Sequence, residues 1–218
     1  MICCLTVDCS PLLGPAQLES ALSLLPDWRQ AQLRTRTLPE HQAAGAAAWL
    51  LVMQSAAQLG ITLPRTPPTY TLHGKPYFPD LPQFSFSLSH SGHRCLCLAS
   101  DDGRRLGCDL EQLRPLPQWK KLANRFFHLQ ETDWLNRLQQ PETGFFRLWC
   151  EKEAALKATA AGFSQGMKWF SLRGETPMEF PPVRLGGILN GYAYALCLEQ
   201  GEREIPLEEV TLAENHDI

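Results

Sequence analysis

Two stretches decide the fold of this chain, Gly107-Cys108-Asp109-Leu110-Glu111 and Trp149-Cys150-Glu151-Lys152-Glu153-Ala154-Ala155-Leu156-Lys157. In the first stretch, apolar Cys108 and Leu110 alternate with the other residues, a period of two that predicts a β-strand. Asp109 and Glu111 then lie on one face of this strand, with their Cα atoms roughly 7 Å apart. The sequence therefore predicts two carboxylates side by side on a rigid element.

The second stretch has the apolar spacing of a helix, with an inward stripe formed by Phe145, Trp149, Leu156 and Ala160. Glu153 lies on the same stripe, where burial of an unpaired carboxylate would be costly. A cation shared by Glu153, Asp109 and Glu111 would remove that cost. Because all three ligands are oxygens on rigid elements, the pattern favours Mg²⁺, which completes its shell with water and substrate phosphates.

The composition is that of an ordinary globular protein. The 218 residues are 44% hydrophobic and 20% charged, enough for one core or two small lobes. A net charge of −3 argues against a nucleic-acid footprint, which needs a basic surface. No apolar run approaches membrane-spanning length, and Met1-Ile2-Cys3-Cys4 lacks the basic start of a signal peptide. We therefore expect a cytoplasmic location.

Eight cysteines raise the question of disulfides or zinc. They stand at positions 3, 4, 9, 95, 97, 108, 150 and 197, without a C-x-x-C pair. A chain of this size does not need disulfides for stability, and Cys95 and Cys97 alternate within an apolar run. We expect reduced thiols buried in the core.

The remaining pattern predicts mixed helices and strands in two halves. Predicted strands cover residues 1–7, 84–88, 94–100, 105–111, 168–172, 183–187 and 192–198. Predicted helices cover residues 16–25, 40–59, 118–127, 131–138 and 142–160, and residues 28–38 form a stretch that carries three arginines. Both halves run strand, helices, strands, so the sequence predicts an α+β fold of two lobes, 1–103 and 104–218. The second lobe carries the acids, and the site is expected at the seam between lobes.

Two further motifs supply candidate phosphate ligands. Gly74-Lys75-Pro76 is a stiff turn that holds out one lysine, although a solvated loop lysine is the simpler interpretation. In Phe86-Ser87-Leu88-Ser89-His90-Ser91-Gly92, a strand ends in hydroxyls and an imidazole that can bind phosphate or pyrophosphate. A purely structural histidine stays an alternative there. A serine hydrolase is excluded, because no G-x-S-x-G elbow surrounds Ser89 or Ser91.

Cations follow on two helices. Lys157 lies four residues after Glu153 on the same helix face, as a surface salt bridge or as a contact to an anionic oxygen near the metal. The helix Trp119-Lys120-Lys121-Leu122-Ala123-Asn124-Arg125-Phe126-Phe127 is basic on one side and aromatic on the other. This pattern is typical of a core face with a solvated face, and it also suits docking of an acidic partner.

Taken together and in this order, the motifs resemble the Sfp-type 4′-phosphopantetheinyl transferases. The resemblance runs from Gly74-Lys75-Pro76 through 86–92, 107–111 and Arg125-Phe126-Phe127 to Trp149–Lys157. It implies a monomer of two α+β lobes related by a pseudo-twofold axis. It also implies magnesium-dependent transfer of phosphopantetheine from coenzyme A to a serine of an acyl, peptidyl or aryl carrier protein. This is the reaction of the holo-acyl-carrier-protein synthases, and it releases 3′,5′-ADP.

The resemblance also implies roles for individual residues. The magnesium ligands would be Asp109, Glu111 and Glu153. Coenzyme A would be held by Lys75, Ser89 and His90 at its nucleotide and phosphate portions, and by Lys152 and Lys157 at its phosphates. Glu153 would accept the serine proton, with Glu111 second, while Lys157 stabilises and protonates the leaving oxygen. The acidic helix of a carrier would meet Lys120, Lys121 and Arg125.

Two departures from the family pattern concern the coenzyme A contacts. The stretch 42–46, around Ala44, lacks the arginine that the family often carries near the nucleotide, and the candidates to replace it are Arg29, Arg34 and Arg36. Ala160-Ala161-Gly162 stands where a Gly-x-Gly pattern usually follows the lysine. Two other functions stay open: a non-catalytic module that binds coenzyme A or a carrier, and a magnesium-dependent hydrolase of a nucleotide pyrophosphate.

Overall fold

The structure, a computed structural model, describes residues 1–159, 166–174, 183–199 and 205–211. Helices and strands mix along the chain, which confirms the predicted α+β class. The helices are α1 (Pro15–Ser23), α2 (Asp27–Arg34), α3 (Pro39–Gln58), α4 (Trp119–Phe126), α5 (Leu129–Asn136) and α6 (Pro141–Thr159). The strands are β1 (Ile2–Asp8), β2 (Thr69–Tyr70), β3 (Pro76–Tyr77), β4 (Ser85–Ser91), β5 (Arg94–Ser100), β6 (Leu106–Gln112), β7 (Val183–Leu189), β8 (Tyr192–Leu198) and β9 (Glu208–Glu209). In these ranges no helix is long and apolar enough to cross a membrane.

The first of two compact units comprises Met1–Thr69, Pro76–Gly103 and Ile205–Ile218. Its sheet has the strand order β4-β5-β1-β9, with β1 antiparallel to β5 and parallel to β9. Every residue of β5 is buried, because the alanine-rich helix α3 packs on β5 and β1. Small alanine side chains let a helix lie close to a sheet, and they also favour the helix itself.

The second unit comprises Tyr70–Lys75 and Arg104–Glu204. Its described sheet has the order β6-β8-β7, and α6 packs across β6 and β8. Asn190 and Gly191 form the turn between β7 and β8, and both have positive φ, 48° and 80°, as a tight hairpin requires. The predicted boundary after residue 103 and the predicted pseudo-twofold symmetry of the lobes stay predictions.

All eight cysteines are buried and free, which confirms the expectation of reduced core thiols.

The predicted strand 168–172 is wrong. Met167–Trp169 form a short 3-10 helix, and irregular chain follows it. Backbone groups of this segment that could pair in a β-sheet are hydrogen-bonded to side chains instead. The carbonyl of Phe170 accepts a hydrogen bond from Lys152 Nζ at 2.6 Å, and the amide of Leu172 donates to Glu131 Oε1 at 2.7 Å. Since these groups are already paired, this segment has less to gain from a strand.

Candidate functional site

Strand β6 presents its acids to helix α6. Gly107 and Asp109 alternate with Cys108 and Leu110, and all four are buried, so the strand is covered on both faces. A Cβ added to Gly107 would overlap the carbonyl oxygen of Ala154 and lie 2.6 Å from the Ala158 nitrogen. The missing side chain of Gly107 therefore lets the backbone of α6 lie directly on the strand.

The face of helix α6 that packs on β6 consists of small residues and two charged ones. Cys150 Sγ lies 3.4 Å from the Ala193 carbonyl of β8, and Ala154 and Ala158 face Gly107. Glu153 and Lys157 share this face, because residues three and four apart on a helix are neighbours. Glu153 is only 8% exposed, which confirms its predicted inward position.

Lys157 and Asp109 form an ion pair across the helix and the strand. The Lys157 ammonium donates to Asp109 Oδ1 at 2.7 Å and to the Cys108 carbonyl at 3.0 Å. The Asp109 side chain is 7% exposed and that of Lys157 is 31% exposed. Burial on its own lowers the pKa of Lys157, but Asp109 and Cys108 outweigh it and raise the pKa above its ordinary value. Lys157 thus keeps its positive charge beside Asp109.

Glu153 lies in the field of the other acids. Burial and the Asp109 carboxylate raise the pKa of Glu153 to about 7; Lys157 opposes this effect and Glu111 adds to it. The same two acids, after burial, raise the pKa of the neighbouring Cys150 thiol. The structure therefore brings Asp109, Glu111 and Glu153 together around one helix face. A carboxyl with a pKa near neutrality can take up and release a proton at physiological pH.

A closed metal cage is not part of this arrangement. Within the ranges that the structure describes, no group of three or more His, Cys, Asp or Glu side chains is arranged to hold a metal ion. The Lys157 ammonium supplies the positive charge beside Asp109 instead. The donor set nonetheless fits Mg²⁺, because it consists of carboxylate oxygens, and burial together with the Asp109 and Glu111 carboxylates raises the pKa of Glu153. The metal role of Asp109, Glu111 and Glu153 stays a prediction.

Lys152 is engaged in a buried ion pair, and its expected contact to the phosphates of coenzyme A stays a prediction. Its side chain and that of Glu131 are fully buried, and its ammonium donates to both Glu131 oxygens at 2.9 and 2.6 Å. The ammonium also lies 4.0 Å from the centre of the Phe170 ring. Burial lowers the pKa of Lys152 to about 8, although Glu131 opposes that effect. Lys152 therefore ties α6 to the start of α5, where Glu131 also accepts from the His128 amide at 3.0 Å.

Lys75 belongs to the same unit as the acids, and its ammonium donates hydrogen bonds to backbone carbonyls. It donates to the Leu106 carbonyl at 2.8 Å and to the Lys157 carbonyl at 3.0 Å. Leu106 is the first residue of β6, and Lys157 lies in the last turn of α6. Lys75 thus joins the group formed by Asp109, Glu111, Glu153 and Lys157, although not through its predicted ligand.

Ser89 and His90 lie in the first unit, at the end of β4, where Ser89 is buried and His90 is exposed. Their predicted contact to coenzyme A stays a prediction.

The candidate arginines of the first unit have partners of their own. Arg34 pairs with Glu19 on the surface at 2.7 Å, and Arg36 donates to the His41 carbonyl at 2.9 Å. Arg29 donates to the Gly45 carbonyl at 3.2 Å. The stretch 160–162 lies outside the described residues.

The basic helix α4 is exposed as predicted on its cationic side, with Lys120, Lys121 and Arg125 at the surface. Lys120 and Arg125 lie over the neighbouring rings of Trp119 and Phe126. A small pocket opens beside this helix. It is lined by Glu111, Arg114, Leu116, Leu122, Phe145, Phe146 and Trp149, and its volume is about 160 Å³. One of the predicted site acids, Glu111, thus stands at the edge of an apolar pocket, 3.8 Å from the Arg114 guanidinium.

Two residues of this site were missed by sequence reasoning. Gly107 was counted as one position in an alternation, although a glycine inside a strand often marks close approach by another backbone. Glu131 carried a usable signal, because it stands three residues after His128 in the spacing of a capping box.

Comparison with known proteins agrees with the resemblance found in the sequence. Residues 105–199 match the model of the 4′-phosphopantetheinyl transferase superfamily. This range contains β6 and α6 and all of the predicted site residues except Lys75, Ser89 and His90.

Three curated relatives illustrate the similarity. The 4′-phosphopantetheinyl transferase Sfp of Bacillus subtilis (strain 168) is 32% identical over 137 residues, 57% of this chain and 59% of the relative. The 4′-phosphopantetheinyl transferase AcpT of Salmonella typhimurium is 36% identical over 118 residues, 53% of this chain and 60% of the relative. The 4′-phosphopantetheinyl transferase HetI of Nostoc sp. (strain PCC 7120) is 35% identical over 156 residues, 69% of this chain and 65% of the relative. The match with Sfp and with AcpT thus spans about three-fifths of the length of each relative.

Proposed function

We propose that this chain, which is similar to members of the 4′-phosphopantetheinyl transferase superfamily, belongs to that superfamily and transfers 4′-phosphopantetheine from coenzyme A to a carrier-protein serine. The carrier is an acyl, peptidyl or aryl carrier protein, the second product is 3′,5′-ADP, and the enzyme is of the holo-acyl-carrier-protein synthase type. The observation that carries the proposal is the convergence of Asp109, Glu153 and Lys157 between β6 and α6.

The proposed reaction exchanges the phosphoanhydride bond of coenzyme A for a phosphate ester bond to serine. The serine Oγ forms a bond to the β-phosphorus of coenzyme A, and the bond from that phosphorus to the bridging oxygen breaks. Negative charge then grows on the oxygen that leaves with 3′,5′-ADP. A cation fixed beside that oxygen lowers the barrier, because it interacts more strongly with the transition state than with the substrate.

Lys157 is suited to stabilise the leaving oxygen. Its ammonium is held in place by Asp109 and by the Cys108 carbonyl, yet its side chain is still 31% exposed. A charge that is already oriented needs no reorganisation during the reaction. Lys157 can also donate a proton to the leaving oxygen.

Glu153 is suited to accept the proton of the carrier serine. With a pKa of about 7, a substantial fraction of this carboxyl is ionised at neutral pH, while it is basic enough to take the serine proton. Glu111, which lines the pocket beside α4, is the second candidate for this role. Mg²⁺ held by Asp109, Glu111 and Glu153 would supply positive charge to the pyrophosphate oxygens.

The carrier is proposed to dock along α4. Lys120, Lys121 and Arg125 present positive charge to the acidic helix of a carrier, and the pocket lined by Leu122 and Glu111 receives an apolar side chain. A carrier docked there would present its serine close to Glu111. We further propose that the protein acts as a monomer in the cytoplasm, a reducing compartment that suits eight free cysteines.

Labelling of a carrier panel tests the proposal. The protein is incubated with Mg²⁺, fluorescent coenzyme A and apo carriers from fatty-acid, polyketide and peptide synthesis, and labelled carriers are separated by gel. We expect label on at least one carrier serine and none on a Ser→Ala carrier. Binding of coenzyme A without transfer to any carrier would instead identify a non-catalytic module. Release of 3′,5′-ADP without a carrier would identify a hydrolase.

A further inference from the structure

Lys75 is held in position by its own hairpin. The Thr71 amide donates to the Lys75 carbonyl at 2.9 Å, and the Lys75 amide donates to Thr71 Oγ1 at 3.1 Å. Gly74, with φ of 82°, closes the turn and donates to the Thr71 carbonyl at 2.9 Å. The backbone from which the lysine side chain departs is therefore well fixed.

The ammonium of Lys75 joins the two elements that carry the candidate site. The Leu106 carbonyl, at 2.8 Å, lies three residues before Asp109 on β6. The Lys157 carbonyl, at 3.0 Å, belongs to the last described turn of α6. A cation is also favourable at a helix C-terminus because of the helix dipole.

This contact lies directly beside the place where helix and strand touch. Gly107, next to Leu106, brings the backbone of α6 against β6, and a Cβ there would lie 3.0 Å from Lys157 Cβ. The site has no side-chain interdigitation at Gly107 to fix the helix along the strand. The two hydrogen bonds of Lys75 hold the turn of α6 that contains Lys157 next to the start of β6.

Burial of the ammonium is energetically unfavourable, and the protein tolerates it here. Burial lowers the pKa of Lys75 to about 8, although the Cys108 and Cys197 thiols act against it. A lysine of a solvated loop would keep its full hydration.

We propose that Lys75 is a positioning residue: its bridge between the Leu106 and Lys157 carbonyls holds the last turn of α6 on β6 and keeps the Lys157 ammonium on Asp109. This inference rests on the transfer reaction proposed above, in which Lys157 stabilises the leaving oxygen. It differs from the sequence-based expectation that Lys75 holds the nucleotide of coenzyme A. A nucleotide ligand acts mainly on substrate binding, whereas a residue that positions Lys157 acts mainly on the chemical step.

The kinetic test compares Lys75→Met, which keeps an unbranched apolar side chain but loses the ammonium donors, with Lys75→Arg, which keeps a charged donor group. Lys168→Met is the matched control, because Lys168 also donates to a backbone carbonyl, that of Asn124, in the same unit. We expect Lys75→Met to lower kcat about tenfold or more with KM for coenzyme A changed less than about threefold. Lys75→Arg should restore most of kcat, and Lys168→Met should match the wild type. A rise in KM at unchanged kcat would overturn the inference in favour of a nucleotide contact.

Hydrogen exchange gives a second measurement that needs no activity. In Lys75→Met, the amides of the last turn of α6 and of the first residues of β6 should exchange faster than in the wild type or in Lys168→Met. Exchange unchanged at both places would overturn the inference. If Lys75→Met does not fold, Lys75→Gln, which is too short to reach both carbonyls, takes its place. Should the wild-type protein label no carrier, the proposed function fails, and the exchange measurement still decides the role of Lys75.

Discussion

The Lys157 ammonium lies 2.7 Å from Asp109 Oδ1, and this ion pair connects helix α6 to strand β6 at the centre of the candidate site. Asp109 is nearly buried, whereas the Lys157 side chain is partly exposed. The pair therefore joins a buried carboxylate to a partly exposed side chain. Its geometry links the fold of the second unit to the chemistry proposed for it.

The first prediction concerns Asp109. Asp109→Asn removes the carboxylate that orients Lys157 and that is expected to bind Mg²⁺, while it keeps the size of the side chain. We expect carrier labelling to fall about a hundredfold or more, because both effects act on the transition state. The measurement is the initial rate of labelling with saturating coenzyme A. Asp133→Asn, at an exposed acid of α5, is the control and should be indistinguishable from the wild type. Equal rates for Asp109→Asn and the wild type would remove Asp109 from the mechanism.

The second prediction concerns the pH dependence of stability at Glu153. Its pKa is raised from 4.5 to about 7, so between these values the folded protein binds a proton that the unfolded chain has released. Stability therefore falls as the pH rises through this window. Glu153→Gln has no such charge, and its advantage in unfolding free energy over the wild type should grow to at most about 3 kcal/mol above the window.

Chemical denaturation in EDTA at several pH values measures this difference. Glu153→Gln should at the same time lose most of its carrier labelling, which distinguishes a functional carboxylate from a merely tolerated one. A stability difference that does not change with pH would contradict the burial and charge crowding inferred for Glu153.

The third prediction concerns Gly107. Gly107→Ala places a Cβ against the backbone of Ala154 and Ala158, which cannot move aside as a flexible side chain could. We expect a loss of about 1–3 kcal/mol or more in unfolding free energy, together with reduced labelling, since α6 must move away from β6. Gly187→Ala on β7 is the matched control, because its nearest neighbours are side-chain atoms of Tyr194 at 3.4–3.6 Å. If the two alanine variants were equally stable, the direct contact between helix and strand would be wrong.

The fourth prediction concerns the buried pair of Lys152 and Glu131. Lys152→Met leaves the Glu131 carboxylate buried without its cation, so we expect a loss of about 3–5 kcal/mol in unfolding free energy. Arg34→Met breaks an exposed ion pair with Glu19, and no measurable change is expected. Thermal or urea unfolding measures both variants. A small and similar effect in the two would show that Lys152 is not the structural residue that its contacts indicate.

Local patterns predicted the elements of the site because their signals are local. The alternation around Asp109 fixed the strand, and the apolar spacing around Glu153 fixed the helix and its buried face. Neither needs information from elsewhere in the chain. The sequence also led us to expect that this strand and this helix lie close together, because a partner shared by their carboxylates would remove the cost of burying them.

The long-range pairs could not be predicted in this way. Lys152 stands next to Glu153 in sequence, but its partner Glu131 is 21 residues away, and only the packing of α5 on α6 reveals the pair. Lys152 and Glu131 also form hydrogen bonds with the backbone of Phe170 and Leu172, which is why the strand expected there does not form. Lys75 is a loop residue whose hydrogen-bond acceptors are backbone carbonyls. Every residue has such a carbonyl, so the sequence does not indicate which ones Lys75 contacts.

The central claim is that Asp109, Glu111, Glu153 and Lys157 serve group transfer from coenzyme A to a carrier. The most direct measurement follows both products in one reaction, with intact-mass spectrometry of the carrier and chromatography of the nucleotide. We predict that each carrier molecule that gains phosphopantetheine is matched by one molecule of 3′,5′-ADP, and that EDTA stops both. Formation of 3′,5′-ADP while every carrier keeps its apo mass would contradict the account.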